Sequence, residues 1–337
     1  MNKDTTLPFE HIQHAHCETG VTVNLLRNMG IEVSEPMVFG LGSGLYFVHL
    51  PFLKVNGKPA IGYRQWFVSI FRKSIERLGG KIALRKFNDE QLGMEALDQL
   101  LAQGKPAAVV TNVYYLDYLP EYFRFQFSGH NLVVYGKEQD EYLVSDPVIE
   151  TLERVSGEQL QRARFAQASP RPKGKIYYIE SMGAAPPLAA QIRKSIDEVC
   201  YNMTVPPLPW LGCNGIQLLA KKIKAYPRKY DEATINAYFS NIIQMQEVIG
   251  TGGAGFRFMY AAYLQEAGQL LQQEKLLHMA QEMTAIGDEW RLFASAAAKI
   301  LKGRNQEDNR FLELSEMLYA IGDKERLFFK TLKKINQ

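Results

Sequence analysis

Apolar positions change their spacing along the chain, and the change divides it in two. Val21, Leu25, Leu26 and Met29 recur at helical intervals, which predicts a short helix over residues 17–29 ended by Gly30. Tyr46–Phe52 reads as a strand, Gln65–Leu78 as an amphipathic helix stopped by Gly79-Gly80, and Asp89–Ala102 as a helix capped by Asp89. A strand is predicted over Ala107–Tyr115 and a hairpin over His130–Asp146. A short helix near Gly157–Ala163 and a strand at Lys175–Glu180 complete this half. Helix first and sheet later is an α+β order, not alternating βαβ units.

Gly183-Ala184-Ala185-Pro186-Pro187 reads as a linker, since adjacent prolines neither continue a helix nor donate to a ladder. Beyond it strand signals vanish. Helices are predicted over 188–199, 216–225, 232–249, 256–272, 274–286, 288–301, 307–321 and 324–335, many divided by Gly or Pro. Ala-Ile-Gly-Asp occurs at 285–288 and again at 320–323, too short a copy to establish a repeat. The expected organisation is an α+β domain over 1–182 and a helical domain over 188–337 that covers or flanks it.

With 337 residues and 46% hydrophobic residues, the chain is long enough to fill two cores. Its net charge of +3 is spread along the sequence, which argues against nucleic acid as a partner. Three cysteines make neither a disulfide framework nor a Cys-x-x-Cys metal site. His11, His14 and His16 alternate before Cys17, but no second ligand cluster completes a metal site, and none is expected. Met1–Glu10 is polar, without the apolar run of a signal peptide, and no segment approaches a membrane span. A cytoplasmic location is expected, where reducing conditions keep Cys17 a thiol.

The candidate chemistry lies in Cys17, His130 and Asp146. Cys17 stands at the first turn of its helix, where a helix N-terminus and a nearby imidazole favour the thiolate. If the hairpin turns near Glu138, opposed residue numbers sum to about 276 by strand alternation, and His130 faces Asp146, Leu132 faces Val144 and Val134 faces Tyr142. A carboxylate beside the imidazole fixes its tautomer and supports the imidazolium. A slip of one residue would put Asp146 on the other face. The plain alternative is a buried structural cysteine near an unrelated strand histidine.

Two further blocks bear on the choice. His16 through Asn24-Leu25-Leu26 and Gly30 to Ser34-Glu35, followed by Phe39-Gly40-Leu41-Gly42-Ser43-Gly44-Leu45, resembles the N-terminal domain of the butirosin biosynthesis protein H family. Gly250-Thr251-Gly252-Gly253-Ala254-Gly255-Phe256-Arg257-Phe258-Met259-Tyr260 is similar to the helical domain that follows it in that family. The resemblance implies a papain-like cysteine fold that transfers an acyl group from a carrier-protein thioester to an amine acceptor in natural-product assembly. It also implies nucleophile, base and orienting acid at Cys17, His130 and Asp146. The donor would carry phosphopantetheine, and no other cofactor is expected. Partners would be an acyl carrier protein or acyl thioester and a small amine or alcohol; a homo-oligomer is left open. A cysteine hydrolase with the same triad is the alternative, and a non-catalytic binding module is disfavoured by the intact triad.

Secondary candidates are weaker in kind. Gly42 and Gly44 sit in a glycine-rich turn that lacks either nucleotide fingerprint and is read as an approach for substrate or as a plain tight turn. Gly252, Gly253 and Arg257 open a helix and suit an anion on the donor or acceptor; a structural ion pair of Arg257 is the alternative. Gln13 is a candidate oxyanion donor. The aromatic run from Tyr114 to Phe127 either lines a substrate pocket or packs a long loop.

Overall fold

A computed structural model of the chain describes residues 5–168 and 170–336; part of the polar Met1–Glu10 segment therefore lies outside the described residues. In chain order the elements are β1 (Thr5–Thr6), α1 (Cys17–Arg27), α2 (Glu35–Leu41), β2 (Leu45–Val55), β3 (Lys58–Arg64), α3 (Ser69–Arg77), β4 (Gly80–Arg85), α4 (Glu90–Ala102) and β5 (Ala107–Thr111). There follow β6 (His130–Glu138), β7 (Glu141–Ser145), β8 (Leu152–Ser156), α5 (Gly157–Arg164) and β9 (Ile176–Met182). The remainder is helical: α6 (Leu188–Thr204), α7 (Gly212–Lys224), α8 (Glu232–Ile243), α9 (Arg257–Leu270), α10 (Glu274–Leu301) and α11 (Arg310–Ile335).

The chain forms two compact units. One takes the chain through Val38 together with Ile70–Pro186; the other takes Phe39–Ser69 together with the chain from Pro187. This differs from the single cut expected after residue 182. The β2–β3 ribbon is the reason: Val48 bridges to Leu211, the His49 N–H donates to the Trp210 carbonyl at 2.9 Å, and the Ser43 hydroxyl donates to the Ser195 carbonyl. These pairings span more than 150 residues and leave no local mark in the sequence.

The first unit is an antiparallel sheet in the order β4-β9-β5-β6-β7-β8, with β1 added along β6. Its core joins Leu97, Leu100 and Leu101 of α4 to Val109, Leu132, Val134, Val144 and Ile176 of the sheet. As expected, Asp89 caps α4, accepting from the Leu92 N–H at 2.8 Å. The hairpin departs from the expected register. Glu138 pairs with Glu141 across a turn of Gln139 and Asp140, and Gln139 takes the left-handed φ of 55° that so tight a turn needs. A β-bulge then intervenes between Val134 and Gly136, beyond which Val134 pairs with Val144 and Val133 with Ser145.

The second unit packs α6–α11 with the ribbon. Gly287 and Gly322, which suggested helix ends in the two Ala-Ile-Gly-Asp copies, lie inside α10 and α11. Interior glycine costs only about 1 kcal/mol relative to alanine, and packing accounts for it. A Cβ on Gly287 would stand 2.6 Å from the Phe258 ring, and one on Gly322 would stand 3.2 Å from Gln217.

Candidate active site

Helix α1 begins at Cys17 because His16 caps it: its Nδ1 accepts the Thr19 N–H, and its backbone is extended. The segment leading into the helix is held by one carboxylate. Glu35 accepts the N–H groups of Ala15 and His16 at 3.0 and 2.8 Å and the Thr19 hydroxyl at 2.7 Å, with His14 Nδ1 at 3.7 Å. Burial works to raise the Glu35 pKa, but His14, Thr19 and Ala15 together hold it below the usual carboxylate value. Glu18, in the first turn and fully buried, accepts the N–H groups of Ile70 and Phe71 at the start of α3. The loop before Cys17 and its first turn are thus fixed by two acids, neither of which the sequence reading assigned a role.

His130 and Asp146 meet as expected. His130 Nε2 donates to Asp146 Oδ2 at 2.6 Å, with His130 5% exposed and Asp146 fully buried. The carboxylate is further fixed by the Tyr118 hydroxyl, which donates to Oδ2 at 2.9 Å, and by the Val148 N–H, which donates to Oδ1. Burial disfavours the charged ring, but Asp146 outweighs it by charge and hydrogen bond, with Cys17 adding to both, and the His130 pKa is pushed up to about 10. Burial would raise the Cys17 thiol too. The electrostatic influence of His16 beside it, with hydrogen bonds from His130 and His16, instead brings it well below its ordinary value. Cys200 and Cys213 lack such neighbours, and burial drives both thiols up, Cys200 to about 12. Cys17, His130 and Asp146 thus lie together, with the thiol shifted toward its thiolate form and the imidazole toward its charged form, a set of groups of the kind that can attack an electrophilic carbonyl and return a proton to a leaving group.

Asn131, next in the strand, was missed. Its side-chain Nδ2 donates to Cys17 Sγ at 3.4 Å. The available signal was an amide in an otherwise apolar run, Leu132-Val133-Val134. Gln13, by contrast, donates its amide to the Val148 carbonyl. Tyr118 stood unremarked within the aromatic run, which serves two ends. Tyr115, Tyr118, Phe125 and Phe127 pack against the core, while Tyr114, Tyr122 and Phe123 are exposed.

The glycine-rich candidates take structural roles within the second unit. Gly42 and Gly44 are buried, and a Cβ on Gly44 would strike the Phe39 ring at 2.5 Å, so close ring packing explains it rather than an open approach for substrate. Gly252 and Gly253 adopt left-handed φ values, but the adjoining anion cradle is filled by the chain itself: Ala254 N–H donates to the Glu247 carboxylate, and Gly253 N–H to the Thr251 hydroxyl. Arg257 is fully buried. Its Nε and Nη2 donate to the two Glu325 carboxylate oxygens at 2.9 and 3.0 Å, and Nη1 donates to the Gly255 carbonyl. Its guanidinium is therefore committed to a structural ion pair and is not a substrate anion site, a partner choice hidden by the sequence separation of 68 from Arg257 to Glu325.

The alternating histidines go separate ways. His11 bonds Ser145 and the Ile149 carbonyl, His14 bonds Asn24, and His16 bonds Thr19. Among the described residues no group of three or more His, Cys, Asp or Glu is arranged to hold a metal, and no helix is long and apolar enough to cross a membrane.

Residues 16–147 match the family model described as Butirosin biosynthesis protein H, N-terminal, and residues 158–332 match Domain of unknown function (DUF4872). No curated protein matches. Among solved structures, the peptidase domain of Streptococcus ComA, a bi-functional ABC transporter involved in a quorum sensing pathway, is similar at 15% identity and a TM-score of 0.33, covering 51% of this chain and 98% of that one. A putative C39-like peptidase from Bacillus anthracis is similar at 15% identity and a TM-score of 0.37, covering 54% of this chain and all of that one. The first unit is of the α+β, papain-like class: a cysteine at a helix N-terminus, with the histidine on the sheet and its acid at a strand end.

Proposed function

The chain belongs to the butirosin biosynthesis protein H family, and on that premise we propose that it is a cysteine-dependent acyltransferase of natural-product biosynthesis. It moves an acyl or aminoacyl group from a carrier-protein or CoA-type thioester to an amine or hydroxyl acceptor. The observation that carries this reading is the buried His130–Asp146 pair set against a cysteine whose thiol is held toward the thiolate.

The Cys17 thiolate attacks the thioester carbonyl, and the N–H groups of the first turn of α1 stabilise the oxyanion. Collapse breaks the donor carbon–sulfur bond. His130, as imidazolium, gives its proton to the departing phosphopantetheine thiolate and leaves an acyl-Cys17 thioester. Neutral His130 then takes the proton of the acceptor as it attacks, and Cys17 departs as the thiolate. Asp146 keeps Nε2 as a donor through both steps, so the proton moves at the other ring nitrogen. A reducing compartment suits this chemistry, and the cytoplasm is proposed.

Water in place of the amine or alcohol would make the same residues a hydrolase. Mass analysis of products from an acyl-pantetheine donor, with and without an amine acceptor, decides between them. Acylated amine in excess over free acid supports transfer; free acid alone, unaffected by the amine, refutes it.

A further inference from the structure

Asn131 is fully buried at the sulfur, and its amide orientation is determined by its neighbours. Nδ2 lies 3.1 Å from the Gly129 carbonyl, which accepts only, so the NH2 group faces that side. Its two N–H bonds then go to Gly129 O and to Cys17 Sγ. The carbonyl end, Oδ1, takes the Tyr177 hydroxyl proton at 2.8 Å. Tyr177 pairs with Ala108, which pairs in turn with Val133, two residues from Asn131 and on its face of the sheet. The small side chain of Ala108 leaves room for the phenol to reach across one strand. Phe71 holds that ring edge-on, with centroids 4.7 Å apart. A donor on Oδ1 polarises the amide and strengthens its N–H groups.

We infer that Asn131 is a further catalytic residue, a neutral donor that holds the Cys17 sulfur in its thiolate form, and that Tyr177 is the positioning residue that orients it. The inference rests on the reading of Cys17 as nucleophile. Unlike the two imidazoles, an amide neither titrates nor loses its donor when His130 gives up a proton. The sulfur therefore keeps one fixed hydrogen bond through both half-reactions, including the step in which Cys17 departs from the acyl group. Full packing alone would not require an amide here, because an aliphatic residue fills a buried strand position at no desolvation cost.

The test is the pH dependence of Cys17 alkylation by iodoacetamide in the full chain, followed by peptide mapping, for wild type, Asn131→Leu and Tyr177→Phe. Near-UV circular dichroism reports the fold. A hydrogen bond to an ionised group corresponds to a midpoint shift of about one to two pH units, and Asn131→Leu is expected to move upward by that much. Tyr177→Phe removes one hydroxyl and should move the midpoint upward by less than Asn131→Leu. A folded Asn131→Leu with the wild-type midpoint overturns the inference; should that variant not fold, an unmoved Tyr177→Phe overturns it. A wild-type midpoint near 8.5, the value of an ordinary thiol, instead removes the reading of Cys17 as an activated nucleophile.

Discussion

His130 and Asp146 are diagonal neighbours across the β6–β7 pair, and a β-bulge at Tyr135 is what puts them on one face. At the turn, opposed residue numbers sum to 279, as Glu138 with Glu141 and Lys137 with Tyr142. Continued without interruption, that register would set Asp146 beside Val133, on the face opposite His130. The bulge absorbs one residue, and from Val134 with Val144 onward the sum is 278. Asp146 then aligns with Leu132, two residues from His130 and on its side, and the 2.6 Å bond closes the diagonal.

The acid end of this pair can be tested by Asp146→Asn. The amide cannot enforce the Nε2–H tautomer, and turnover is expected to fall by about 10²- to 10⁴-fold with the folded circular dichroism spectrum retained. Tyr118→Phe removes only the second donor to Oδ2 and should cost less than Asp146→Asn. Steady-state kinetics of both variants check the order; full activity of Asp146→Asn would remove Asp146 from the mechanism.

The thiolate and imidazolium titrate as a pair, so their pH limits belong to both groups. With Cys17 well below its ordinary value and His130 near 10, the charged pair is favoured from below the ordinary thiol range up to about pH 10. Wild-type alkylation should therefore rise well below pH 8. The His130-assisted release of the donor thiol should decline only as pH approaches about 10. In His130→Ala the alkylation midpoint should move upward, and stopped-flow measurement across this range shows whether it does.

Glu35 holds the chain that leads into Cys17. Removing a largely buried carboxylate with several hydrogen bonds costs about 1–3 kcal/mol, and Glu35→Ala is expected to lower the unfolding free energy by about that, seen as a lower urea midpoint at an unchanged m-value. Because folding lowers the Glu35 pKa, its contribution is present above the unfolded carboxylate's titration and is lost as pH falls through the lowered folded value. The stability difference between wild type and Glu35→Ala should accordingly shrink in acid.

His49 supplies a second acid-sensitive element. It is 2% exposed, and neither ring nitrogen has a hydrogen-bond partner. Burial, with Lys222 and Lys54 nearby, lowers its pKa from 6.5 to about 4. The unfolded chain takes up this proton before the folded one does. Stability present above pH 6.5 is therefore lost as pH falls toward 4, by on the order of 3 kcal/mol. Denaturation of His49→Leu between pH 7 and 4 should show a flatter acid decline; an unchanged slope would show that His49 does not carry it.

Much of the site was legible because it depends on local chemistry. His16 and Cys17 sit where a helix starts, and strand alternation was enough to bring His130 toward Asp146. The expected pairing, with a sum near 276, missed both the turn at Gln139–Asp140 and the bulge; the two odd shifts compensated, and the face came out right. What could not be read depends on distant partners. Nothing near Arg257 indicates Glu325, and nothing near Tyr46–Phe52 indicates that its strand joins the helical unit. Met29, grouped with Val21, Leu25 and Leu26 by helical spacing, lies past the last turn of α1 and is 47% exposed.

Covalent capture is the most direct measurement. Wild-type protein incubated with an acyl-pantetheine thioester should gain the mass of one acyl group, and peptide mapping should place it on Cys17. Cys200 and Cys213, whose thiols burial holds protonated, should remain unlabelled. Cys17→Ala and His130→Ala, folded by circular dichroism, should gain no mass. Label on Cys200 or Cys213, or undiminished capture in Cys17→Ala, would contradict an acyl-Cys17 intermediate.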